Sequence, residues 1–320
     1  MIKMGKEDII KQYTVISTFA GGGGSSLGYQ MAGFKELLAI EWDNNACEIL
    51  RLNFPDLLVW EKDITKIKVN DILKTLNIKK GELDILDGSP PCQGFSTAGK
   101  REINDDRNQL FKSYCYLLKG LQPKVFVMEN VSGMIKGKMK GTFIEILDSL
   151  QKCGYNVKVK LMNAKYYNVP QSRERLIFIG VRKDLKVESC FPSPNKKLIT
   201  CKEALKDLEN KDILEINHKR HYREKSSKSV IMWEKVKHGE PVLGLSLYKI
   251  NPRKPSNTIK KSSELFHYKE NRILTIRECA RLCSFPDNYK ITWKQAGNAV
   301  MPNMMKAIAE NIKVNILDKF

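Results

Sequence analysis

The stretch Tyr13-Thr14-Val15-Ile16-Ser17-Thr18-Phe19-Ala20-Gly21-Gly22-Gly23-Gly24 joins an apolar, β-rich run to four consecutive glycines. β-Branched and aromatic residues favour a strand, and glycine permits the tight turn that has to follow it. Residues 25–33 then show a helical pattern. The stretch therefore predicts a strand, a turn and a helix in immediate succession, which is typical of an α/β protein.

The same alternation continues to residue 182. Apolar runs predict further strands at residues 37–40, 83–86, 125–128, 157–161 and 176–181, and helical patterns lie at residues 43–53, 108–120 and 140–152. Asp43 is placed to cap the first of these helices. Alternating strands and helices predict a parallel, doubly wound sheet of Rossmann-like type, whose ligands bind at the carboxyl ends of the strands.

The alternation stops after residue 182, where prolines interrupt an irregular and basic stretch. Residues 211–261 carry 13 Lys or Arg against 5 Asp or Glu, a net charge of +8. Helical periodicity resumes at residues 275–283, where Thr275 and Glu278 have the spacing of a capping box, and again at residues 302–312. We expect one domain of residues 1–182 plus 272–320, and a smaller domain of residues 183–271.

The composition predicts a polyanionic partner. The 320 residues include 55 Lys or Arg and 36 Asp or Glu, which gives a net charge of +19 and favours nucleic acid, although lysines that only solvate the surface are the alternative. The eight cysteines form no Cys-x-x-Cys pair, so no metal site is expected. Without a signal peptide or an apolar run of about 20 residues, we expect a cytoplasmic protein that does not enter a membrane.

Pro90-Pro91-Cys92-Gln93 follows the apolar run that ends at Gly88 and is the strongest candidate for a reactive group. Proline fixes its own φ angle and favours extended geometry in the residue before it. The two prolines would therefore present the Cys92 thiol on a stiff loop at a strand end. A buried structural cysteine is the alternative.

The glycine run and the ends of the next two strands predict a site for a nucleoside. Glycines let the backbone approach a ligand, Glu41 at a strand end can accept hydrogen bonds from ribose hydroxyls, and Trp42 can stack on adenine. Asp63 and Ile64 follow a third apolar run and can reach the purine edge. The G-x-G-x-x-G spacing is absent, which disfavours NAD. A glycine-rich turn that binds nothing is the alternative.

Two further motifs carry charged groups at strand ends. Glu129 ends the strand at residues 125–128, beside the predicted Cys92 strand, where a carboxyl group can do acid–base work. Arg173 and Arg175 precede the strand at residues 176–181 and share a face if that strand begins with them, so they can bind a phosphate or a base edge. A surface acid and a salt-bridged strand edge are the respective alternatives.

These motifs together resemble one family, the DNA (cytosine-5) methyltransferases of bacterial restriction-modification systems. The resemblance covers about residues 1–182 and 252–320, in the order of the family's motifs. It includes Phe19 to Gly24, Glu41-Trp42, Pro90 to Ser96, Glu129-Asn130-Val131, the Gln-x-Arg-x-Arg stretch at residues 171–175, Arg277-Glu278 and Gly297-Asn298-Ala299-Val300.

The resemblance implies S-adenosyl-L-methionine as cofactor and double-stranded DNA as substrate. It implies catalytic roles for Cys92, Glu129, Arg173 and Arg175. The implied cofactor-binding residues are Phe19, Ala20, Gly21, Gly23, Gly24, Glu41, Trp42, Asp63, Ile64, Pro91, Asn298 and Val300. The implied DNA contacts are Gln93, Ser96, Lys100, Arg101 and Arg107, on a loop of residues 93–107 that closes over a flipped-out base. Residues 183–271 would then recognise the target sequence.

Three residues depart from the family's pattern. Ser17 stands where the family usually has Asp, Lys62 where it usually has Gly, and Met301 where it usually has Pro. None of them is the implied nucleophile or acid, so we expect activity to be retained.

Other functions remain open at this point. Some relatives of the family act on tRNA, so a tRNA cytosine-5 methyltransferase on the same scaffold is one alternative. A catalytically silent nucleic-acid-binding protein and an NAD oxidoreductase are the others. The expected protein is a monomer that associates with the nucleoid through DNA and protects it from a cognate restriction enzyme.

Overall fold

The structure is a computed structural model, and it describes residues 12–91, 106–135, 140–208, 247–261, 264–270 and 273–320. Its strands are β1 (Thr14–Thr18), β2 (Lys35–Glu41), β3 (Val59–Glu61), β4 (Ile85–Gly88), β5 (Val125–Val131), β6 (Tyr155–Asn163), β7 (Glu174–Arg182), β8 (Leu247–Lys249) and β9 (Glu264–Phe266). Its α-helices are α1 (Gly24–Met31), α2 (Asn44–Asn53), α3 (Val69–Leu76), α4 (Asp106–Leu121), α5 (Lys140–Lys152), α6 (Cys201–Leu205), α7 (Ile276–Leu282), α8 (Trp293–Asn298) and α9 (Pro302–Asn315).

The main sheet of the described chain has the order β3-β2-β1-β4-β5-β7-β6. The predicted α/β fold is confirmed, and β1 to β5 pair in parallel. The prediction of an all-parallel sheet is wrong at β7, which runs antiparallel to both β5 and β6. Residues 164–173 between β6 and β7 hold only a short 3₁₀ turn, and a parallel connection needs a longer crossover.

Both faces of the sheet are covered. Val15, Ala39, Ile85 and Val127 face a cluster that includes α1 and α9. Their neighbours along the strands face a second cluster that includes α3, α4 and α5. Because successive strand residues point to opposite faces, a strand buried on both sides is a nearly continuous apolar run. That is why the central strands were recognisable from the sequence.

The predicted helix caps are confirmed. Asp43 accepts a hydrogen bond from Ala46 N at 3.0 Å and begins α2. Thr275 accepts one from Glu278 N at 3.1 Å, and the Glu278 carboxylate accepts one from Thr275 N at 2.7 Å. The N-terminus of each of these helices is specified by residues no more than three positions apart, so it can be predicted from the local sequence.

The described parts of the predicted smaller domain pack on the sheet domain. Cys201, Leu205, Ile250, Ile259 and Leu265 belong to the same buried cluster as α1 and α9. The two arms of this stretch also bind each other, because Cys201 N donates to Lys254 O and Lys202 N donates to Pro252 O. Residues 209–246, which carry most of its basic run, lie outside the described residues, so the predicted boundaries at 183 and 271 stay predictions.

None of the described helices is long and apolar enough to cross a bilayer.

Gly180 in β7 provides a test of how closely the sheet packs. A Cβ atom at this position would lie 2.0 Å from the ring of Phe126, its partner residue on β5. We expect Gly180→Ala to lower the free energy of unfolding by about 1–3 kcal/mol, because the core has no room for the methyl group. Urea denaturation of the purified protein measures this change.

The matched control is Gly141→Ala in α5, where a Cβ atom would meet nothing within 4 Å. It should leave stability unchanged or raise it by about 0.5–1 kcal/mol, because alanine favours a helix. Equal losses for the two variants would contradict the packing argument.

Candidate active site

The glycine run forms the turn between β1 and α1. Phe19, Gly21 and Gly23 have positive φ angles of 54°, 55° and 79°. Glycine adopts such angles freely, but they strain the backbone of Phe19, which has a side chain. A Cβ atom on Gly22 would clash with Gln295, and one on Gly24 would lie 2.2 Å from the carbonyl of Val300. A Cβ atom on Gly21 would meet no atom of the described residues within 4 Å. The turn thus has one packed side and one open side at Gly21.

Glu41, at the end of β2, holds this turn in place. Its Oε2 accepts a hydrogen bond from Gly21 N at 2.8 Å, and its Oε1 accepts two more, from Trp42 N and Asp43 N, at 2.8 and 2.9 Å. The carboxylate is buried, whereas the neighbouring Trp42 side chain is 78% exposed. Since Oε2 accepts one bond from the described residues, it keeps capacity for a ligand hydroxyl.

Asp63 lies at the end of β3 and completes the same edge of the sheet. It caps the turn Ile64–Lys66 by accepting a hydrogen bond from Thr65 N at 2.9 Å, while Ile64 is buried. The Lys62 ammonium lies 4.5 Å from the ring centroid of Trp60. The strand order β3-β2-β1 therefore places the three predicted nucleoside contacts side by side, as expected for the carboxyl ends of parallel strands.

The end of β4 is joined to the end of β5 by a buried side chain. Asn130 Nδ2 donates to the carbonyl of Pro90 at 3.0 Å, and Asn130 Oδ1 accepts from Val131 N at 2.9 Å. Pro90 is buried and Pro91 is exposed. The chain immediately before Cys92 is thus fixed to the strand that carries Glu129. No role for Asn130 was recognised in the sequence beyond its place in the Glu129-Asn130-Val131 motif.

Several predicted residues lie outside the described residues. They are Cys92, Gln93, Ser96, Lys100 and Arg101. Arg107 lies in the first turn of α4, because this helix begins at Asp106. The predicted loop of residues 93–107 therefore ends two residues earlier than expected, and the contacts of the Arg107 side chain remain a prediction.

Glu129 forms an ion pair with Arg175. Arg175 Nε lies 2.6 Å from Glu129 Oε1, and the two side chains are 15% and 12% exposed. The pair joins β5 to β7, whose antiparallel pairing places Arg175 opposite Val131. A short, charge-assisted contact of this kind fixes the direction of the carboxylate more firmly than a neutral hydrogen bond does.

Arg173 has different contacts from Arg175. Its side chain is 2% exposed, and its Nη1 and Nη2 donate to the carbonyls of Ile259 and Gly297 at 2.8 and 3.0 Å. Burial lowers the pKa of Arg173 to about 10, so it stays protonated at neutral pH. It joins the returning segment 256–261 to α8. The two predicted arginines therefore have different partners. Arg175 pairs with Glu129, whereas Arg173 binds two backbone carbonyls.

Two residues that support the site had no role assigned from the sequence. Gln171 Oε1 accepts from Ile259 N at 3.1 Å, so that it supports the same returning segment as Arg173. Tyr289 Oη donates to the carbonyl of Gly22 at 2.7 Å and holds the glycine turn from its packed side. Their partners are distant in sequence, so their contacts had no local signal, although Gln171 belongs to the Gln-x-Arg-x-Arg stretch. Of the predicted residues in this region, Val300 is buried and Asn298 is exposed.

The chain matches the family model for C-5 cytosine-specific DNA methylase over residues 13–314. It belongs to this family. It is 39% identical to Type II methyltransferase M1.HphI of Haemophilus parahaemolyticus, over 93% of this chain and 86% of that one. It is 34% identical to Type II methyltransferase M.NgoPII of Neisseria gonorrhoeae, over 93% and 95% of the two chains.

Solved structures show the same fold. A protein described as a DNA modification methyltransferase encoded within an E. coli prophage superposes with a TM-score of 0.77 at 25% identity, covering 96% of this chain and all of that one. The Entamoeba histolytica methyltransferase EhMeth superposes with a TM-score of 0.69 at 19% identity, over 97% and 99% of the chains, a likeness of fold alone.

This C-5 cytosine-specific DNA methylase acts on DNA, and its methyl donor is S-adenosylmethionine. The open side of the turn at Gly21, the free capacity of Glu41 Oε2 and the exposed Trp42 ring fit the ribose and the adenine of that cofactor. The tRNA methyltransferase, the silent binder and the NAD oxidoreductase are not favoured.

Tyr289→Phe tests the support of the glycine turn. The variant keeps the ring contacts with Phe54 and Phe285 and loses only the hydrogen bond to Gly22 O. A hydrogen bond of this kind contributes about 1 kcal/mol, so KM for S-adenosylmethionine should rise about fivefold with little change in kcat. Steady-state kinetics at saturating DNA measure both constants.

The control for that experiment is Tyr13→Phe. Tyr13 Oη donates to Asp318 at 2.7 Å, away from the turn. An equal rise in KM for both variants would show that the effect is not specific to the glycine turn.

Proposed function

We propose that this methylase transfers a methyl group to C5 of a flipped-out cytosine in one short duplex sequence, through a covalent bond between Cys92 and C6, and that it protects host DNA from a cognate restriction enzyme. The observation that carries the proposal is the junction of β4 and β5. Asn130 fixes Pro90, two residues before Cys92, while Glu129 on the same strand is oriented by Arg175.

Cys92 is proposed as the nucleophile because C5 of cytosine does not react unaided. Addition of the thiolate to C6 forms an S–C6 bond and moves the electron pair of the C5=C6 bond towards C5. C5 then accepts the methyl group and loses its proton to a base, and the S–C6 bond breaks as the double bond returns. The thiolate leaves unchanged, so the ring gains a methyl group and loses a proton.

Glu129 is proposed to bind the cytosine ring while the charge on it changes. One oxygen of its carboxyl group contacts Arg175, which leaves Oε2 to share a proton with N3 of the base. A shared proton offsets the negative charge that builds up on the ring after the thiolate adds. Arg173 and Arg175 are proposed to supply the positive charge that favours the Cys92 thiolate, and the contacts support Arg175 as the nearer to the base.

Different residues are proposed to bind different parts of S-adenosylmethionine. The bound cofactor would supply an electrophilic methyl group. The backbone at Gly21 leaves room for the cofactor, Glu41 accepts hydrogen bonds from the ribose hydroxyls, and Trp42 stacks on the adenine. Asp63 and Ile64 bind the edge of the purine. The other proposed contacts are Phe19, Ala20, Gly23, Gly24, Pro91, Asn298 and Val300.

DNA recognition is proposed to lie in residues 183–271 and in the loop before α4. The net charge of the whole chain is +19, which favours a polyanion. Extruding the base costs a few kcal/mol, and contacts of Gln93, Ser96, Lys100, Arg101 and Arg107 with DNA would offset that cost. The enzyme is further proposed to be a cytoplasmic monomer that acts on nucleoid DNA.

The proposal is tested by incubating the protein with labelled S-adenosylmethionine and, separately, with genomic DNA and bulk tRNA. Bisulfite sequencing then locates the modified bases. Label at C5 of cytosine in one short recurring DNA sequence is expected. Label in tRNA alone, or in no nucleic acid, would contradict it.

Cys92→Ser should abolish methyl transfer. An alkoxide is far scarcer than a thiolate at neutral pH, so turnover should fall by at least about a thousandfold. The measurement is label incorporation into the target duplex, with Cys190→Ser as the control because Cys190 is a half-buried thiol away from the site. Near-normal turnover of Cys92→Ser would reject the covalent mechanism.

Glu129→Gln should slow methylation by about 10²–10⁴-fold while binding of S-adenosylmethionine changes little. Glutamine keeps the shape of the side chain but loses the shared proton and the ion pair with Arg175. Single-turnover kinetics and calorimetric cofactor binding separate the two effects. Equal loss of both would indicate a structural role for Glu129.

A further inference from the structure

Three acidic side chains lie on one face of the sheet, on neighbouring strands. Asp87 on β4 is paired in register with Ser17 on β1 and with Val127 on β5. Alternation along β5 places Glu129 on the same face as Val127. Glu36 on β2 is paired with Val15, two residues before Ser17. The row across the sheet therefore reads Glu36, Ser17, Asp87, Glu129.

A β-bulge brings Glu36 into this row. The pairing of β1 with β2 goes from Val15–Glu36 directly to Ile16–Leu38, so that Leu37 is an extra residue on β2. An extra residue changes the face on which the side chains before it point. Without the bulge, the alternation from Leu38 would turn Glu36 to the opposite face of the sheet.

Asp87 holds the first turns of α1, which follow the glycine turn directly. Tyr29 Oη, in the second turn of this helix, donates to Asp87 Oδ1 at 3.2 Å. Asp87 is 3% exposed. On its other side, Thr18 Oγ1 donates to the backbone carbonyl of Asp87 at 3.0 Å. One buried residue therefore joins α1, β1 and β4.

The position of Ser17 between two acids explains why it is not itself an acid. It lies next to Asp87 in register, and its buried Oγ has no hydrogen-bond partner among the described residues. A third buried carboxyl group here would add like-charge repulsion to the cost of desolvation. An Asp at position 17 would therefore be unfavourable beside both Glu36 and Asp87.

We propose that Asp87 is a positioning residue for the glycine turn, and that positions 17 and 87, which are neighbours in register, are coupled so that one of the two can carry a carboxyl group. The inference rests on the proposed role of residues 19–24 in binding S-adenosylmethionine. Asp87 acts in its protonated form, in which it adds no charge beside Glu129 while it accepts the hydrogen bond of Tyr29.

The surroundings of Asp87 support the protonated form. Burial, together with Glu36 and Glu129, raises its pKa to about 8. Burial likewise raises the pKa of Glu36 to about 7. Among the described residues, the other titratable groups near Asp87 are the phenols of Tyr29 on α1 and Tyr114 on α4, and the pKa of each is raised by burial and by Asp87. No cation among these neighbours stabilises an ionised Asp87.

The contribution of Asp87 to stability should fall as the pH rises. A carboxyl group whose pKa is raised by folding stabilises the folded state below its ordinary pKa of about 4, and this stabilisation is lost as the pH rises through about 8. Ionisation of Asp87 should therefore loosen α1 and the glycine turn. Thermal stability should fall as the pH rises from about 4 to about 8, and affinity for S-adenosylmethionine should fall as Asp87 ionises around pH 8.

The first experiment measures Kd for S-adenosylmethionine by calorimetry from pH 6.5 to 9 for the wild type, Asp87→Asn and Asp87→Ala. Asparagine mimics the protonated acid, so the ratio of the wild-type Kd to the Asp87→Asn Kd should rise about tenfold from pH 7 to pH 9. The ratio cancels titration of the cofactor's own amino group. Asp87→Ala should bind about tenfold more weakly at pH 7. A pH-independent ratio would overturn the proposal.

The matched control is Asp84→Asn, at the residue immediately before β4. Asp84 is buried, pairs with Lys124 at 2.6 Å and accepts a hydrogen bond from Thr14 N, at the opposite end of β4. This variant should lower Tm at every pH tested, with no pH-dependent change in its Kd ratio. The same pH-dependent change for both variants would show that the effect is general loss of stability.

The second experiment is the exchange of the two residues, measured as Tm of the protein without cofactor. Ser17→Asp alone should lower Tm by several degrees, increasingly above pH 7, and adding Asp87→Ser should restore most of that loss. Additive effects in the double-mutant cycle would overturn the exchange. If the wild type fails to bind S-adenosylmethionine, the proposed function fails, whereas the Tm cycle still decides whether the two positions are coupled.

Discussion

The hydrogen bond from Asn130 Nδ2 to the carbonyl of Pro90 is the contact on which the proposed reaction centre depends. It joins the ends of β4 and β5, and these two strands carry the residues that lead to Cys92 and the carboxylate of Glu129. A parallel pair fixes the strands relative to each other but not the loops beyond them. One buried amide extends the rigid part of the fold by two residues, and the pair of Glu129 with Arg175 does the same for the acid. Two side-chain contacts thus place the end of the rigid chain next to the proposed nucleophile.

The remainder of the site is closed from behind by segments that are distant in sequence. Tyr289 binds Gly22 O, Val300 O lies against Gly24, and Arg173 joins Ile259 to Gly297. Three of the four consecutive glycines are therefore required by the chain's own packing, and Gly21 is the one that faces open space. A glycine run selected by a ligand and one selected by packing look the same in a sequence. The two cases can be distinguished only in the structure, from the atoms that a Cβ at each glycine would contact.

What could be predicted from the sequence follows from the range of the interactions. The caps at Asp43 and Thr275 depend on residues three positions away, and the central strands on their continuous burial, so both were predicted correctly. The reversal of β7 could not be predicted, because it depends on the short connection from β6. The roles of Arg173 and Arg175 were also indistinguishable, since each is set by a partner that lies tens of residues away. Cys92 and most of the predicted DNA contacts lie outside the described residues and stay predictions.

The row of acids across β2, β1, β4 and β5 shows why a departure from a family pattern should be interpreted on the folded sheet. In the sequence alone, Ser17 is interpreted as the absence of a carboxyl group beside the glycine turn. On the sheet, Asp87 is its neighbour in register, and a bulge brings Glu36 to the same face. The cost of burying charge makes these positions interdependent, because each added carboxyl group raises the cost of ionising the others. A substitution at one of these positions therefore has an effect that depends on the residue at the other.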